Sequence, residues 1–512
     1  MSSNNDNNKR IARNTILLYI RMLLTMGVSL YTSRIILKAL GVEDFGIYNV
    51  VGGVVAMFSI LSASLSASIS RFITYELGCN QGNRLNIIFS TSVTIQIILA
   101  CIILIFAESI GLWFLNYKMN LPTIRMDAAN WVYQLSILTF IINLLSIPYN
   151  ASIIAHERMG VFAYISILEA SGKLIVAFLI ISSPFDKLIF YATMICTVAV
   201  VVRIVYTYYC KKNFSECTYR FILDKQLISQ MFRFAGWNFI GATSNILRDQ
   251  GGNIILNLFY GPTLNAAKGI ASQVNNAIQG FANSFMTALD PQITKSYAAK
   301  NQSYMLSLIY QGSRFAFYLL FFMSLPLLIN THYILYLWLG DIPNHSALFV
   351  QLTLVFILCE SISQPLITAM LATGNIRNYQ IIVGGLQMLN LPLSYLALKQ
   401  GATPEAILII AIIISQFCLV TRLLLLRKMI GLSMREFIRR VYINIIQVGI
   451  CAAVIPSLIA TRLPESFVSF ILSSFCAFIC TFSSVYYIGC NKKERELVKN
   501  KVSQLRYKFT RK

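Results

Sequence analysis

The chain has 512 residues, is 56% hydrophobic but only 12% charged, and carries a formal net charge of +22. Soluble domains carry roughly 25% charged residues, so the roughly three or four globular domains that this length would suggest are excluded. The 42 Lys and Arg residues sit between apolar runs rather than in one basic domain, so a nucleic-acid partner is not expected; the bias of positive charge toward one side of a membrane explains the pattern.

Apolar runs of roughly 20 residues recur along the whole chain, each long enough to cross about 30 Å of hydrocarbon as a helix. Barrel strands are shorter and alternate in polarity, which excludes a β-barrel. The expected fold class is therefore an all-α integral membrane protein with about 14 transmembrane helices. The polar start, Met1 to Asn8, and the long first apolar segment predict a retained span rather than a cleaved signal peptide. The eleven cysteines fall in spans or in loops placed on the basic side, so no disulfides are expected.

In chain order, the first spans are expected near Asn14–Leu37, Phe45–Ser70, Leu85–Gly111, Ala129–Ile153, Val161–Ile181 and Leu188–Cys210. A second set follows near Gly236–Phe259, Gly269–Leu289, Ser313–His332, Ala347–Met370, Tyr379–Leu398 and Glu405–Leu426, and a final pair near Val441–Ile459 and Phe467–Ile488. The predicted organisation is a six-helix lobe over 1–210, a basic linker over 211–235, a second six-helix lobe over 236–426, an extra helix pair over 427–490 and a basic tail over 491–512. With both termini on one side, that side collects most of the basic residues, including Lys211, Lys212, Arg220, Lys225, Arg233, Arg427, Lys428, Arg435, Arg439 and Arg440. Both termini are accordingly expected in the cytoplasm of a bacterial cell, with the chain in its inner membrane. The tail is expected either to lie on anionic lipid or to act as a solvated orientation signal.

Spans one and two resemble spans seven and eight at an offset of 220: Gly41 matches Gly261, Ser64 matches Ser284, and Ile73-Thr74 matches Ile293-Thr294. Six spans per half give halves of the same orientation, a parallel pseudo-repeat of the kind transporters use.

Ionisable groups inside a membrane are costly, so each is a candidate for function. The seventh span carries Asn245, Arg248, Asp249, Gln250 and Asn253 with Gly251 and Gly252. It is expected to line a wet cavity or a polar interface, Arg248 facing the cavity or an interhelical ion pair. In the eighth span Ser272, Asn276, Gln279 and Asn283 share one helical face. Arg21 shares a face with Thr25 and Thr32, while Arg34 lies near the far end of the same helix, where its side chain can reach water. Glu169 and Lys173 are four apart in the favoured order for a helical pair. Asp249, Glu360 and Glu169 are candidates for coupling to H⁺ or Na⁺, because a buried carboxylate can exchange a proton. No cofactor or metal is expected, and the sequence holds no metal helix, phosphate loop or nucleophile elbow.

The stretch Asn14 to Gly53 resembles the start of Wzx-type polysaccharide flippases, members of the superfamily that includes multidrug and toxin extrusion (MATE) transporters and lipid II flippases. The shared motif is a first helix with Arg near each end, followed by Leu40-Gly41-Val42-Glu43-Asp44-Phe45-Gly46-Ile47-Tyr48. The resemblance implies two lobes in alternating access and a lipid-linked oligosaccharide, joined through undecaprenyl pyrophosphate, as cargo. It implies that Arg21, Arg34, Arg248 and Lys173 meet the pyrophosphate, and that Asn245, Asn276 and Gln279 meet sugar. Membrane lipids, a polysaccharide polymerase and glycosyltransferases are the implied partners in surface polysaccharide synthesis. A MATE-type cation-coupled drug exporter of the same fold, a membrane glycosyltransferase or polymerase, and a scaffold without transport activity are the alternative readings.

Overall fold

The computed structural model of the chain describes residues 2–499 apart from 57, 80–81, 118–122, 223, 261, 340–341, 465, 493 and 497–498. Among the described residues every regular element is helical. In chain order these are α1 (Ser2–Ala56), α2 (Ser59–Cys79), α3 (Gly82–Phe106), α4 (Leu112–Tyr117), α5 (Met126–Ala155), α6 (Met159–Leu179) and α7 (Lys187–Asn213). There follow α8 (Lys225–Tyr260), α9 (Pro262–Ala298), α10 (Gln302–Ile329), α11 (Thr331–Leu339), α12 (Ser346–Thr373), α13 (Arg377–Met388) and α14 (Asn390–Lys399). The last are α15 (Ala406–Ile430), α16 (Met434–Phe437), α17 (Ile443–Arg462) and α18 (Phe467–Ser484).

Eleven helices among the described residues are long and apolar enough to cross a membrane. The three other expected spans, near 45–70, 236–259 and 269–289, fall on α1–α2, α8 and α9; α8 and α9 carry a heavy polar load, and residue 57, within the first of the three, lies outside the described residues. Of the expected linker, 211–213 end α7 and Lys225 already begins α8. Most of the expected basic tail lies outside the described residues.

Several helix breaks follow from single residues. Gly41 has φ 79 and ψ 172, a region open essentially to glycine alone, so α1 is two helices joined at that point. Its expected repeat mate, Gly261, lies outside the described residues. A π-turn at Ala107–Gly111 separates α3 from α4, and the Tyr133 hydroxyl donates to the Ala107 carbonyl at 2.8 Å. Gly111 leaves room for that phenol, since a Cβ there would collide with it. The expected span near 379–398 is split into α13 and α14, with Asn390 Nδ2 bonded to the Gln387 carbonyl at 2.9 Å. Irregular backbone at membrane depth needs such an internal partner.

The chain divides into two compact units. The first comprises Met1–Thr243, Thr287–Asn301 and Leu371–Gln380. Its core clusters run from Leu65, Ile95 and Met231 to Ile47, Tyr133 and Leu188, and from Phe89 to Cys217. At one end of this unit Arg125 clamps two carboxylates, with Nε 2.8 Å from Asp44 Oδ1 and Nη1 2.5 Å from Asp186 Oδ2. Three connections, near 44, 125 and 186, are thereby tied together.

The second unit comprises Ser244–Met286, Gln302–Met370 and Ile381–Lys512, and one cluster from Ile255 to Ala477 forms its core. Within it the α17–α18 pair packs on α10. Apolar packing of Ala452 and Ala477 in the cluster with Leu320 is joined there by interhelical polar bonds, which help hold helices together in a membrane. Arg314, 4% exposed, donates to the Gly489 carbonyl and to Glu494 Oε1, both at 2.8 Å. Tyr318 bonds Asn444, and Ser473 donates to Asn330 Oδ1 at 3.0 Å.

Candidate functional site

The intramembrane charges fall into one set in each unit. In the first, α1 carries Arg21 against α6. Arg21 Nη1 donates to Ser166 Oγ at 3.2 Å, and the guanidinium lies 4.6 Å from the centre of the Phe162 ring. Its Nε is buried without a hydrogen-bond partner. A neutral hydroxyl and a ring face are thus what this cation holds, although Glu169 and Tyr206 act on it electrostatically. Arg203 on α7 lies over the Tyr149 ring at 4.3 Å, with Nη1 also buried and unbonded. Sequence reading did not single out Arg203; a lone Arg in an otherwise apolar run was the signal.

The Glu169–Lys173 pair closes at 2.6 Å, with side chains 43% and 48% exposed. Lys173 is thus matched by its helical neighbour, and Glu169 is both its partner and a neighbour of Arg21. The side chain of Arg34 lies outside the described residues.

In the second unit α8 presents Arg248 and Asp249. Helical geometry turns adjacent residues about 100° apart, yet the long Arg248 side chain folds back, with Nε 2.9 Å from Asp249 Oδ1. The interhelical ion pair weighed for Arg248 is therefore replaced by a pair within α8. The guanidinium also lies 4.9 Å from the Phe356 ring centre on α12, one helical turn from half-buried Glu360. Asp249 is 63% exposed and Arg248 only 16%. Lys268, at the start of α9, donates to the Asp249 carbonyl at 3.3 Å. Gly252 makes room for that ammonium, because a Cβ there would sit 2.6 Å from it. Lys268 was not singled out from the sequence, since it falls at the edge of an expected span.

On α9, Asn276 is exposed and Gln279 half-buried, its Oε1 accepting from Asn275 Nδ2 at 3.5 Å. Asn245 is exposed on α8. Arg422 on α15, 1% exposed, is the largest fully buried side chain described. Cys418 lies within electrostatic reach of Arg422, Glu360 and Arg248. The second unit thus brings together Arg248, Asp249 and Lys268 from α8 and α9, with Phe356 of α12 against the guanidinium. Asn245, Asn276 and Gln279 stand on the same two helices, α8 and α9.

Comparison with known proteins bears on the fold and the family. A family model described as "Polysaccharide biosynthesis protein" matches residues 11–297, and the MatE model matches residues 252–396. The uncharacterized membrane protein EpsK of Bacillus subtilis (strain 168) is 20% identical over 277 residues, which is 54% of this chain and 55% of that protein. The chain thus spans about half the length of that curated relative. A crystal structure of MATE in complex with MaD3S superimposes with a TM-score of 0.72 at 14% identity, covering 83% of this chain and 96% of that one. A MOP superfamily transporter from Pyrococcus furiosus, described by the reverse polarity of its binding pocket, gives a TM-score of 0.67 at 13% identity, covering 82% and 96%. The fold is therefore that of the MATE transporters, and with a match over more than half of its length the chain belongs to the polysaccharide biosynthesis protein family.

Proposed function

We propose that this protein is a flippase that carries undecaprenyl-pyrophosphate-linked oligosaccharide from the cytoplasmic to the periplasmic leaflet of a bacterial inner membrane, by alternating access. The observation that carries the reading is Arg21. It is a cation in the middle of a membrane-spanning helix, bonded to a neutral hydroxyl and a ring face, with Nε unbonded. Such a group is costly in hydrocarbon, and an anionic cargo supplies a charged hydrogen-bond acceptor where Arg21 now bonds a neutral hydroxyl. Arg is suited to a pyrophosphate because its fork can hold two oxygens at once.

Arg248 and Lys268 supply further positive charge, with Asp249 offsetting part of it. Arg34 and Lys173 are secondary contributors, and Asn245, Asn276 and Gln279 offer amide groups to sugar hydroxyls. Asp249, Glu360 and Glu169 are the carboxylates available for coupling to H⁺ or Na⁺. Glycosyltransferases and a polymerase that act on the same lipid-linked units are the functional partners, and both termini face the cytoplasm on the charge bias.

The MatE match over 252–396 favours one other reading, a cation-coupled drug exporter. A surplus of cations repels the cationic compounds such exporters carry. The reverse-polarity neighbour supports the view that this fold serves more than one kind of pocket charge. A deletion strain separates the two readings. Loss of surface polysaccharide with unchanged drug susceptibility is expected, whereas drug hypersensitivity with intact polysaccharide would overturn the flippase reading.

A further inference from the structure

Glu157 stands in the turn between α5 and α6, and nothing in its sequence context marks it out. Its φ is 58, the left-handed region that costs a side-chain-bearing residue roughly 1–2 kcal/mol. Strain of this kind persists where the surroundings over-determine it, and here they do. The carboxylate is 1% exposed. Its Oε2 accepts from Arg10 Nε at 2.8 Å and from Gln292 Nε2 at 2.6 Å, while Oε1 accepts from Lys295 Nζ at 2.6 Å. Asn14 Nδ2 donates to the Glu157 backbone carbonyl at 3.4 Å. Next to this group Leu18, Met159 and Ala288 form a fully buried cluster. One buried carboxylate therefore joins the start of α1, the α5–α6 turn and the end of α9, all within the first unit.

The same end of α9 also meets α2. A Cβ on Gly78 would lie 2.7 Å from Ala298 Cβ and 2.8 Å from the Lys295 backbone. Cys79 Sγ donates to the Ala298 carbonyl at 3.8 Å, and the Tyr75 and Tyr297 rings are 6.3 Å apart. Positions 78 and 298 differ by 220, the offset of the repeat read from the sequence. Arg71 adds a second tie. Its Nη2 donates to the Ala372 carbonyl at 3.2 Å, with the guanidinium over the Phe72 and Tyr75 rings, each at 4.8 Å.

We propose that Glu157 is an ionic latch that holds the end of α9 closed against α1 and α2, and that its release opens the cytoplasmic entrance of the transport path. The proposal rests on the transporter reading above. Arg10 from α1 and Lys295 from α9 both bond the one Glu157 carboxylate, and the Arg10 side chain is 44% exposed, so water can reach the ion pair from that side. On the turn itself, His156 is engaged by Glu216 and Arg158 is exposed. The latch is therefore set by four side chains from three elements, Arg10 of α1, Glu157 of the turn, and Gln292 and Lys295 of α9.

Cys79 is a native reporter, half-buried against α9. Its alkylation by a membrane-impermeant maleimide can be followed residue by residue with mass spectrometry, on the full chain in inside-out vesicles. Glu157→Gln and Lys295→Ala should each raise the rate at Cys79 about tenfold, the factor that loss of one charge-assisted hydrogen bond allows, while buried Cys210 and Cys217 stay unreactive. Unchanged labelling of Cys79 in both variants would overturn the latch. Equal acceleration at Cys210 would do the same, because it would mean general loosening of the unit. The readout does not depend on cargo, so a failure of polysaccharide export to depend on the protein would count against the function and leave the labelling result standing.

Discussion

Gly78 and Ala298 are 220 positions apart and lie in contact, close enough that a Cβ on Gly78 would fall 2.7 Å from the Ala298 Cβ. The repeat detected in the sequence thus has a physical meeting point. Of the pairs matched in the sequence, three are alike in burial, Ser64 with Ser284, Ile73 with Ile293, and Thr74 with Thr294, while the mate of Gly41 lies outside the described residues. Part of the obstruction at Gly78 is the backbone of Lys295, at 2.8 Å, which cannot rotate away. Gly78→Ala should therefore destabilise the protein by about 1–3 kcal/mol, the usual cost of overpacking. Gly27→Ala, where nothing lies within 4 Å, should be neutral. Thermal unfolding of the purified protein in detergent compares the two directly, and equal midpoints would contradict the close approach.

Arg248 is expected to matter for cargo and little for folding. It is paired with an exposed neighbour on its own helix, Asp249, and exposed pairs contribute at most about 1 kcal/mol. Removing a charge-assisted contact to phosphate costs about 1.5–3 kcal/mol of binding, or about ten- to a hundredfold in affinity. Arg248→Ala should insert normally and lose surface polysaccharide export. Arg248→Lys should retain part of it, since a point charge replaces a two-pronged donor. Wild-type export by Arg248→Ala would remove the residue from the mechanism.

The Arg314–Glu494 pair makes the opposite prediction. Both side chains are nearly buried, at 4% and 11% exposure. Breaking a buried pair by removing one partner costs about 3–5 kcal/mol, because the other charge stays behind. Arg314→Met should lower the melting temperature sharply, and adding Glu494→Gln should recover part of the loss. Equal melting of Arg314→Met and the wild type would show that the pair does not tether the last helices.

Glu216 gives a pH-dependent prediction outside the membrane spans. Burial alone would push its carboxyl up. The bond from His156 Nε2 at 2.5 Å, together with backbone and Ser215 donors, instead holds it below the ordinary carboxylate range. A depressed carboxylate contributes stability above its unfolded value, about 4.3, and that contribution is lost as pH falls through the lower folded value. Wild-type protein should lose more stability than Glu216→Gln when melting is compared at neutral pH and below pH 4. Parallel losses would contradict the assignment.

Element type and approximate span positions follow from sequence because hydrocarbon thickness imposes its length on every spanning helix. Gly41 stood out for the same local reason, since its backbone conformation admits no other residue. What escaped sequence reading depends on contacts between distant positions. Glu157 is one of several loop charges until α1 and α9 place Arg10, Gln292 and Lys295 around it. Arg203, Arg314 and Arg422 read as isolated cations in apolar runs, and only packing separates the bonded Arg314 from Arg203, whose Nη1 has no hydrogen bond. Helical angles argued that Arg248 and Asp249 point apart, which holds for their Cβ vectors but not for a flexible guanidinium. Lys268 was lost because a span edge cannot be drawn within a few residues from hydropathy alone.

A role for Arg21 and for Arg248, one in each unit, in carrying an anionic lipid-linked cargo is what the proposed function depends on most. Its most direct test is transfer of a fluorescent undecaprenyl-pyrophosphate oligosaccharide across proteoliposomes containing the wild type, Arg21→Gln, Arg248→Gln or the double variant. Transfer that the wild type supports, that each single variant slows about tenfold or more and that the double variant abolishes is the predicted result. Equal transfer by all four proteins, or none by any, would contradict it.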